Sequence, residues 1–320
     1  MTDPWFWHDT GPSARLARTL LMPASVIYDL AQQIRSTLAK PYVCEAPVIC
    51  IGNATLGGVG KTPFAIALYK ILSNVVDDIA FVTRGYRGTA KGPTFVDTSQ
   101  SAVETGDEPL LLAKVAKTIV AKERAAGVKF AVDHGAKLIL MDDGFQNPTV
   151  QKDISILLQP SVKLRVDAVF PAGPYREPLA RAINRADIII KINSDATVVP
   201  ATNDTLVEKP NGDFLAFCGI GHPERFAHSL KKAGFSVLEF VPFADHHIFS
   251  KGELESLRQR ALQKGAQLIT TEKDFVRLDA ADRIDIEVFR IAMHIENPDA
   301  LIGQIQSLLD QRRPGWRSHA

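Results

Sequence analysis

The chain alternates between two hydrophobic rhythms. Short apolar runs rich in β-branched residues occur at 47–51 (PVICI), 80–83 (AFVT), 138–141 (LILM), 154–158 (ISILL) and 188–192 (IIIKI). They are short enough for strands, and their continuity predicts strands covered on both faces. Between them lie stretches with helical spacing. One begins at Pro63 and carries Phe64, Ile66, Ala67, Leu68 and Ile71, and another is expected over 110–126. Strand and helix in alternation from Val48 to Ile192 predict a mostly parallel sheet wrapped by helices.

After residue 192 the rhythm breaks. Residues 193–213 are polar, contain Pro200 and end in Asn211-Gly212, a turn signal between expected strands at 205–207 and 214–217. A hinge is expected there. A second alternating set then follows, with strand 214–217, Gly219-Ile220-Gly221, helix 223–233, strand 237–243, helix 250–264 and strand 267–270. The expected fold class is α/β in two units, 1–204 and 205–320. The length of 320 residues suits that division, since a domain usually takes roughly 100–200.

The first forty residues follow a third pattern. Leu16, Leu20, Leu21, Ile27, Tyr28, Leu30 and Ile34 recur at helical spacing behind Trp5, Phe6 and Trp7, with Arg15, Arg18, Arg35 and Lys40 as polar partners. Such a helix either packs on its own domain or lies in a membrane interface. No early basic stretch leads into an apolar run and a cleavage site, and nothing approaches the roughly 20 apolar residues of a spanning helix. Neither a signal peptide nor a transmembrane span is expected.

Composition narrows the partners. Lys+Arg 37 against Asp+Glu 36 gives a formal charge of +1, which leaves no net field to hold a polyanion. Nucleic acid is therefore not expected, and no obligate protein partner is evident. Cys44, Cys50 and Cys218 lack paired metal-ligand spacing and are odd in number, so a reducing compartment is expected.

The chemistry gathers at the ends of the apolar runs. After 47–51 comes GNATLGGVGKTP, in which Thr55, Leu56, Gly57, Gly58, Val59, Gly60, Lys61 and Thr62 form a candidate phosphate-binding loop. Glycines let backbone N–H groups approach an anion, the helix start adds partial positive charge, Lys61 reaches the β/γ-phosphates and the Thr62 hydroxyl suits Mg²⁺. Thr55 stands where the usual pattern has glycine. The run 138–141 empties into Asp142-Asp143-Gly144, which supplies the acidic metal partner such a loop needs. Gly106-Asp107-Glu108-Pro109 reads as a helix start or as a carboxylate near the γ-phosphate. Residues 170–178 form a rigid Pro/Gly loop carrying Arg176 and Glu177, a surface ion pair or a functional one. Asp245, His246 and His247 follow 237–243, and in an extended chain the two histidines point to opposite sides, so a single catalytic base fits better than a joint metal site.

Taken together, these motifs resemble the tetraacyldisaccharide 4'-kinase family of lipid A biosynthesis. The resemblance rests on GNATLGGVGKTP with its threonine, Thr83-Arg84-Gly85-Tyr86, Gly106-Asp107-Glu108-Pro109, Asp142-Asp143-Gly144-Phe145-Gln146, residues 171–177 (PAGPYRE), Phe243-Ala244-Asp245-His246 and Thr271-Glu272-Lys273-Asp274. The last forty residues carry no motif. The resemblance implies a P-loop NTPase-like α/β/α N-terminal domain and a smaller α/β/α C-terminal domain joined by a two-stranded hinge. It also implies ATP-dependent phosphorylation of the 4'-hydroxyl of an acylated glucosamine disaccharide 1-phosphate, by a peripheral protein on the cytoplasmic face of the inner membrane that touches the membrane surface through its N-terminal helix. Asp107 and His246 would take the hydroxyl proton, Lys61 and Arg176 would hold phosphates, and Thr62, Asp143 and Glu177, supported by Asp142, would serve Mg²⁺. A membrane-associated regulatory ATPase with a similar loop is the main rival. Such proteins place a lysine before the paired glycines, where this chain has Leu56.

Overall fold

The computed structural model describes residues 4–160, 164–193, 195–201 and 212–316. A 3₁₀ turn at Trp5–Trp7 leads into α1 (Pro12–Leu38), and β1 (Val48–Asn53), α2 (Lys61–Leu72), β2 (Ile79–Thr83), β3 (Thr94–Phe95), α3 (Ala102–Thr105), α4 (Asp107–Ala113), β4 (Thr118–Val120), α5 (Arg124–Asp133), β5 (Leu138–Asp142), β6 (Ile154–Pro160), α6 (Leu179–Arg185) and β7 (Ile188–Ile192) complete the first half. The helix expected over 110–126 is not continuous. Thr118, Ile119 and Val120 are fully buried and pair with β2, so a β-branched triplet breaks the helical run and takes a place in the sheet.

The bridge between the halves is β8 (Ala196–Ala201), and the second half holds β9 (Asp213–Cys218), α7 (Pro223–Lys232), β10 (Ser236–Pro242), α8 (Lys251–Gln263), β11 (Gln267–Thr271), α9 (Glu272–Phe275), β12 (Ile286–Ile295) and α10 (Pro298–Arg312). One sheet runs through the molecule in the order β10-β9-β11-β12-β8-β7-β6-β1-β5-β2-β4-β3. The expected hairpin at Asn211-Gly212 is corrected here. Phe214–Phe217 lie in β9, whose partners β10 and β11 are both parallel, and 205–207 lie outside the described residues. The two-stranded bridge is instead β8 against β12, antiparallel from Ala196↔Ile295 to Ala201↔Arg290.

Alternation along the strands sorts the core onto two faces. Ile49 and Ile51 join Phe64 and Leu68 of α2, whereas Val48 and Cys50 join Val128 and Ala131 of α5. In the second half Leu215 and Phe217 meet α8 through Leu254 and Leu257, and Phe214 and Ala216 meet α7 through Phe226 and Leu230. A division at residue 204 would assign α10 to the second half. Its buried Leu301, Ile305 and Leu309 pack instead with Ile49 and Phe64, and Arg313 pairs with buried Asp153 at 2.6 Å. The last residues, which carry no motif, thus close the first core.

α1 docks through one narrow face. Ser25 Oγ donates to Val169 O (2.8 Å) and accepts from Ala172 N (3.0 Å), Trp7 Nε1 donates to Pro171 O (3.1 Å), and Asp29 forms a forked pair with Arg181 (2.6 and 2.9 Å). Leu16, Leu20, Ile27, Leu30, Ile34 and Leu38 are all exposed. Among the described residues, no helix is long and apolar enough to cross a membrane.

Candidate active site

The phosphate loop leaves β1 at Asn53 and enters α2 through Gly57 and Gly60, whose φ values of 97° and 87° lie in the left-handed region that favours glycine. Thr55 is buried, and its place in the loop explains why glycine is dispensable there. Asn53 Nδ2 donates to Thr55 O (2.8 Å) and Oγ1 (2.9 Å), Leu56 N donates to Pro174 O (2.7 Å), and Arg176 N donates to Ala54 O (2.7 Å). The opening of the loop is thereby stitched to the Pro/Gly segment that carries Arg176. Gly57 and Gly58 are exposed and Val59 half-buried, while Lys61 and Thr62 are buried behind them. Lys61 Nζ donates to Asn53 Oδ1 at 3.1 Å and lies 3.5 Å from Asp143 Oδ1.

β5 runs parallel beside β1 with Asp142 in register with Ile51, so its terminal carboxylates arrive behind the loop. The two acids have opposite electrostatics. Asp142 is fully buried, and neither of its oxygens has a hydrogen-bond partner. Burial, then the negative charges of Glu108 and Asp143, push its pKa up to about 7 against the pull of Lys61 and Lys273. For Asp143 burial also acts upward, but the charges of Lys61 and Arg176 and their hydrogen bonds prevail and hold it at about 2. Arg176 grips Asp143 with Nη1 at 2.9 Å and Nη2 at 3.4 Å. Arg176 and Glu177 do not pair with each other. Glu177 is buried and accepts from Gln146 Nε2 (3.0 Å) and Arg185 Nη2 (2.6 and 2.8 Å). Among the described residues, no three His, Cys, Asp or Glu side chains form a ready metal cluster. Thr62, Asp142, Asp143 and Glu177 therefore do not make a closed carboxylate cage.

A second cluster forms where the halves meet. Asp107, buried at the start of α4, follows Gly106 at φ 92°. His246 sits at φ 59° in the turn after β10, where its N–H donates to Gly219 O at 2.8 Å. Its Nδ1 lies 3.5 Å from Asp107 Oδ2, and its ring meets Tyr86 edge to face at 5.9 Å. Burial lowers the His246 pKa; Asp107 and Asp245 oppose that, while Arg277 and Arg87 reinforce it. For Asp107 burial acts upward, yet Lys273 and Arg277 hold it below the ordinary carboxylate value.

Three of the neighbouring candidates have partners of their own. His247 points away from His246, stacks on Phe243 at 4.8 Å and meets Glu253 at 3.0 Å, beside the cap of α8. Asp274 is fully buried, donates its N–H to the cap of α9, Thr271, and accepts from Gly219 N at 3.0 Å. Lys273 reaches across to Glu108 at 2.7 Å, and Arg84 is exposed. Sequence reasoning missed Asn53, Arg185, Arg225 and Arg277. Arg225 Nη1 crosses from α7 to Gly58 O at 2.8 Å, and Arg277 contacts Asp107, His246 and Asp274. Asn53 stood inside the quoted GNATLGGVGKTP, and Arg277 stands three residues after Asp274, where side chains near a helix can meet.

Known proteins share this chain's sequence pattern and fold. The sequence profile of the tetraacyldisaccharide-1-P 4'-kinase family matches residues 17–310. A tetraacyldisaccharide 4'-kinase of Parvibaculum lavamentivorans is 41% identical over 97% of each chain, and one of Methylobacterium nodulans is 39% identical over 94% of each. The crystal structure of LpxK from Aquifex aeolicus in complex with ATP superposes with a TM-score of 0.74 at 27% identity, covering 91% of this chain and 99% of that one. This chain belongs to the tetraacyldisaccharide 4'-kinase family.

Proposed function

We propose that this chain transfers the γ-phosphate of ATP to the 4'-hydroxyl of tetraacyldisaccharide 1-phosphate, giving the 1,4'-bisphosphate in lipid A biosynthesis. The observation that carries the reading is a phosphate loop that the second half touches through Arg225, together with a carboxylate–imidazole pair formed between the same two halves, in a chain of this family.

The division of labour follows from the charges. The glycine-rich loop offers backbone N–H groups to the triphosphate, and Lys61 and Arg176 neutralise the charge that spreads over the γ-phosphoryl oxygens. The Arg176–Asp143 contact holds that guanidinium in place beside the loop. Asp107 and His246 remove the proton of the attacking hydroxyl, a weak nucleophile without such help. The donor set also suits Mg²⁺. Asp142 places two unpartnered oxygens behind the loop beside Asp143. Thr62 and Glu177 are the further oxygen donors the reading assigns, and Mg²⁺ commonly takes one or two protein groups with phosphates and water completing its shell. When bound there it would offset the negative charge of the phosphates. Because Asp107 and His246 come from different halves, the proton acceptor is assembled only when the halves meet, which restrains loss of ATP to water.

The exposed apolar face of α1 suits a bilayer surface, and its docked face is tied to residues 169–172, just before Arg176. A peripheral seat on the cytoplasmic face of the inner membrane follows for an acylated substrate. Leu20→Glu combined with Ile27→Glu is expected to abolish sedimentation with liposomes while activity in detergent micelles persists. Unchanged sedimentation would remove α1 from membrane contact.

The deciding assay is transfer of labelled γ-phosphate from Mg-ATP to tetraacyldisaccharide 1-phosphate in micelles, with Lys61→Ala as the blank. Transfer by the wild type and none by the variant is the expected outcome. ATP hydrolysis without lipid phosphorylation would replace the kinase reading with that of an ATPase.

A further inference from the structure

Arg277 lies in the middle of the seam, with a side chain only 6% exposed. Its guanidinium has two working edges. Nη1 donates to Gly219 O (2.8 Å) and to Asp274 Oδ1 (2.8 Å), groups of the second half that are themselves fixed, since Asp274 also accepts from Gly219 N and from Thr271 Oγ1 at 2.6 Å. Nη2 donates to Asp107 Oδ2 and meets His246 Nδ1 at 3.2 Å. One edge is anchored, and the other faces both members of the proton-accepting pair.

That geometry favours one protonation form of the ring. A guanidinium carries donors and no acceptor, so its contact with His246 Nδ1 requires a lone pair on that nitrogen. The ring is then neutral with its proton on Nε2, which faces Asp245 Oδ1 at 3.8 Å. Asp107 Oδ2, 3.5 Å from Nδ1, receives its hydrogen bond from Arg277. Oδ2 and Nδ1 face one another with no proton between them.

We infer that Arg277 is a positioning residue for phosphoryl transfer: it holds Asp107 ionised and His246 as the Nε2–H tautomer, so that the pair stands ready to accept one proton. The inference rests on the proposed kinase reading. In the step it serves, the hydroxyl oxygen bonds to the γ-phosphorus, the bond from that phosphorus to the ADP oxygen breaks, and the hydroxyl proton passes to the Asp107–His246 pair. Arg277 touches neither reacting atom and gains or loses no proton.

The sign of its effect on His246 follows from the ring's neighbours. Asp107 faces it from α4, Asp245 from its own turn, Arg277 from the segment after α9, and Arg87, which donates to Asp245 O at 3.4 Å, from the segment after β2 beside Tyr86. Lys273, paired with Glu108, acts on Asp107 and is not among the charges that act on the ring. Removing Arg277 leaves two carboxylates and one exposed arginine around the imidazole, which favours the imidazolium. The proton-accepting form is then lost at higher pH.

The test is the pH profile of kcat for the full chain in micelles with saturating Mg-ATP. Arg277→Met is expected to lower kcat by about 100-fold, the scale of misplaced acid–base machinery, and to move the acid limb up by about one pH unit. KM for ATP should change by less than about 3-fold, because the phosphate loop is built elsewhere. Arg277→Lys should bring the limb most of the way back. Arg225→Met removes another hydrogen bond across the seam, the one to Gly58 O, and should leave the limb in place. An unmoved limb in Arg277→Met, a lysine variant no better than methionine, or an equal shift in Arg225→Met would reduce Arg277 to a strut. If Arg277→Met does not fold, imidazole ¹⁵N spectra of the wild type decide, with the His246 signals assigned by His246→Asn. Nε2–H at about pH 8 is expected, well above the ordinary histidine value, and Nδ1–H or imidazolium there overturns the inference. Those spectra do not depend on turnover. A wild type that phosphorylates no lipid removes the kinase reading and leaves the tautomer result standing.

Discussion

The two clusters of the site are built in opposite ways. Lys61, Asp143 and Arg176 all come from the first half, and short backbone bonds between residues 54–56 and 174–176 bring them together. Asp107 meets His246 and Arg277 only across the seam, where the direct links are side-chain hydrogen bonds and ion pairs, with Lys273–Glu108 beside them. The proposed phosphate cluster is a property of one fold, whereas the proposed proton-accepting cluster is a property of how two folds meet. Binding and chemistry can therefore be separated by mutation in a way that a single rigid pocket would not permit.

The largest separation is expected from Asp107→Asn. It removes the acid but keeps the shape, and kcat should fall by about 10²–10⁴, the range for loss of a general base, with KM for ATP little changed. Arg176→Met acts on the other cluster. It removes a cation beside the triphosphate and releases Asp143, so KM for ATP should rise along with a fall in kcat of roughly 10²-fold. Steady-state kinetics in micelles with ATP varied at fixed lipid reads both. Equal effects of the two variants on KM would mean that the seam also binds nucleotide and that the clusters are not independent.

The same contrast decides what was legible in the sequence. The phosphate loop, the Asp142-Asp143 strand end and the short β-branched strands are local patterns, and each is found where its residues predict. The helix over 110–126 misled because Thr118–Val120, read by itself, continues an apolar rhythm; burial beside β2 made it a strand. β8 lies within the expected hinge at 193–213, but its pairing partner was missed for a similar reason. Asn211-Gly212 is a genuine turn signal, but the antiparallel partner of β8 is β12, about ninety residues away, and no local pattern records a pairing over that distance. Arg277 and Arg185 were missed because their meaning lies in what they touch. A lone arginine carries no motif until the carboxylate opposite it is known.

The smallest expected effect tests the two carboxylates as a pair, in protein free of nucleotide and metal. Asp142 has a folded pKa of about 7, above the ordinary value near 3.8. The folded state therefore holds that proton more tightly, and ionised Asp142 opposes folding increasingly as pH rises from the unfolded value to the folded one. Asp142→Asn removes the charge at constant shape, so Tm should rise by a few degrees at about pH 8 and by less at about pH 5. Asp143 has the opposite sign. Its folded pKa of about 2 lies below the ordinary 3.8, so its contribution to stability is full above the unfolded value and is lost as pH falls through about 2. Asp143→Asn should therefore lower Tm at neutral pH, and its deficit should shrink below about pH 4. Calorimetric scans of the two variants at matched pH make the comparison. A lowered Tm for Asp142→Asn at about pH 8 would mean that its oxygens have partners in the empty site, and the argument that they await Mg²⁺ would lose its footing.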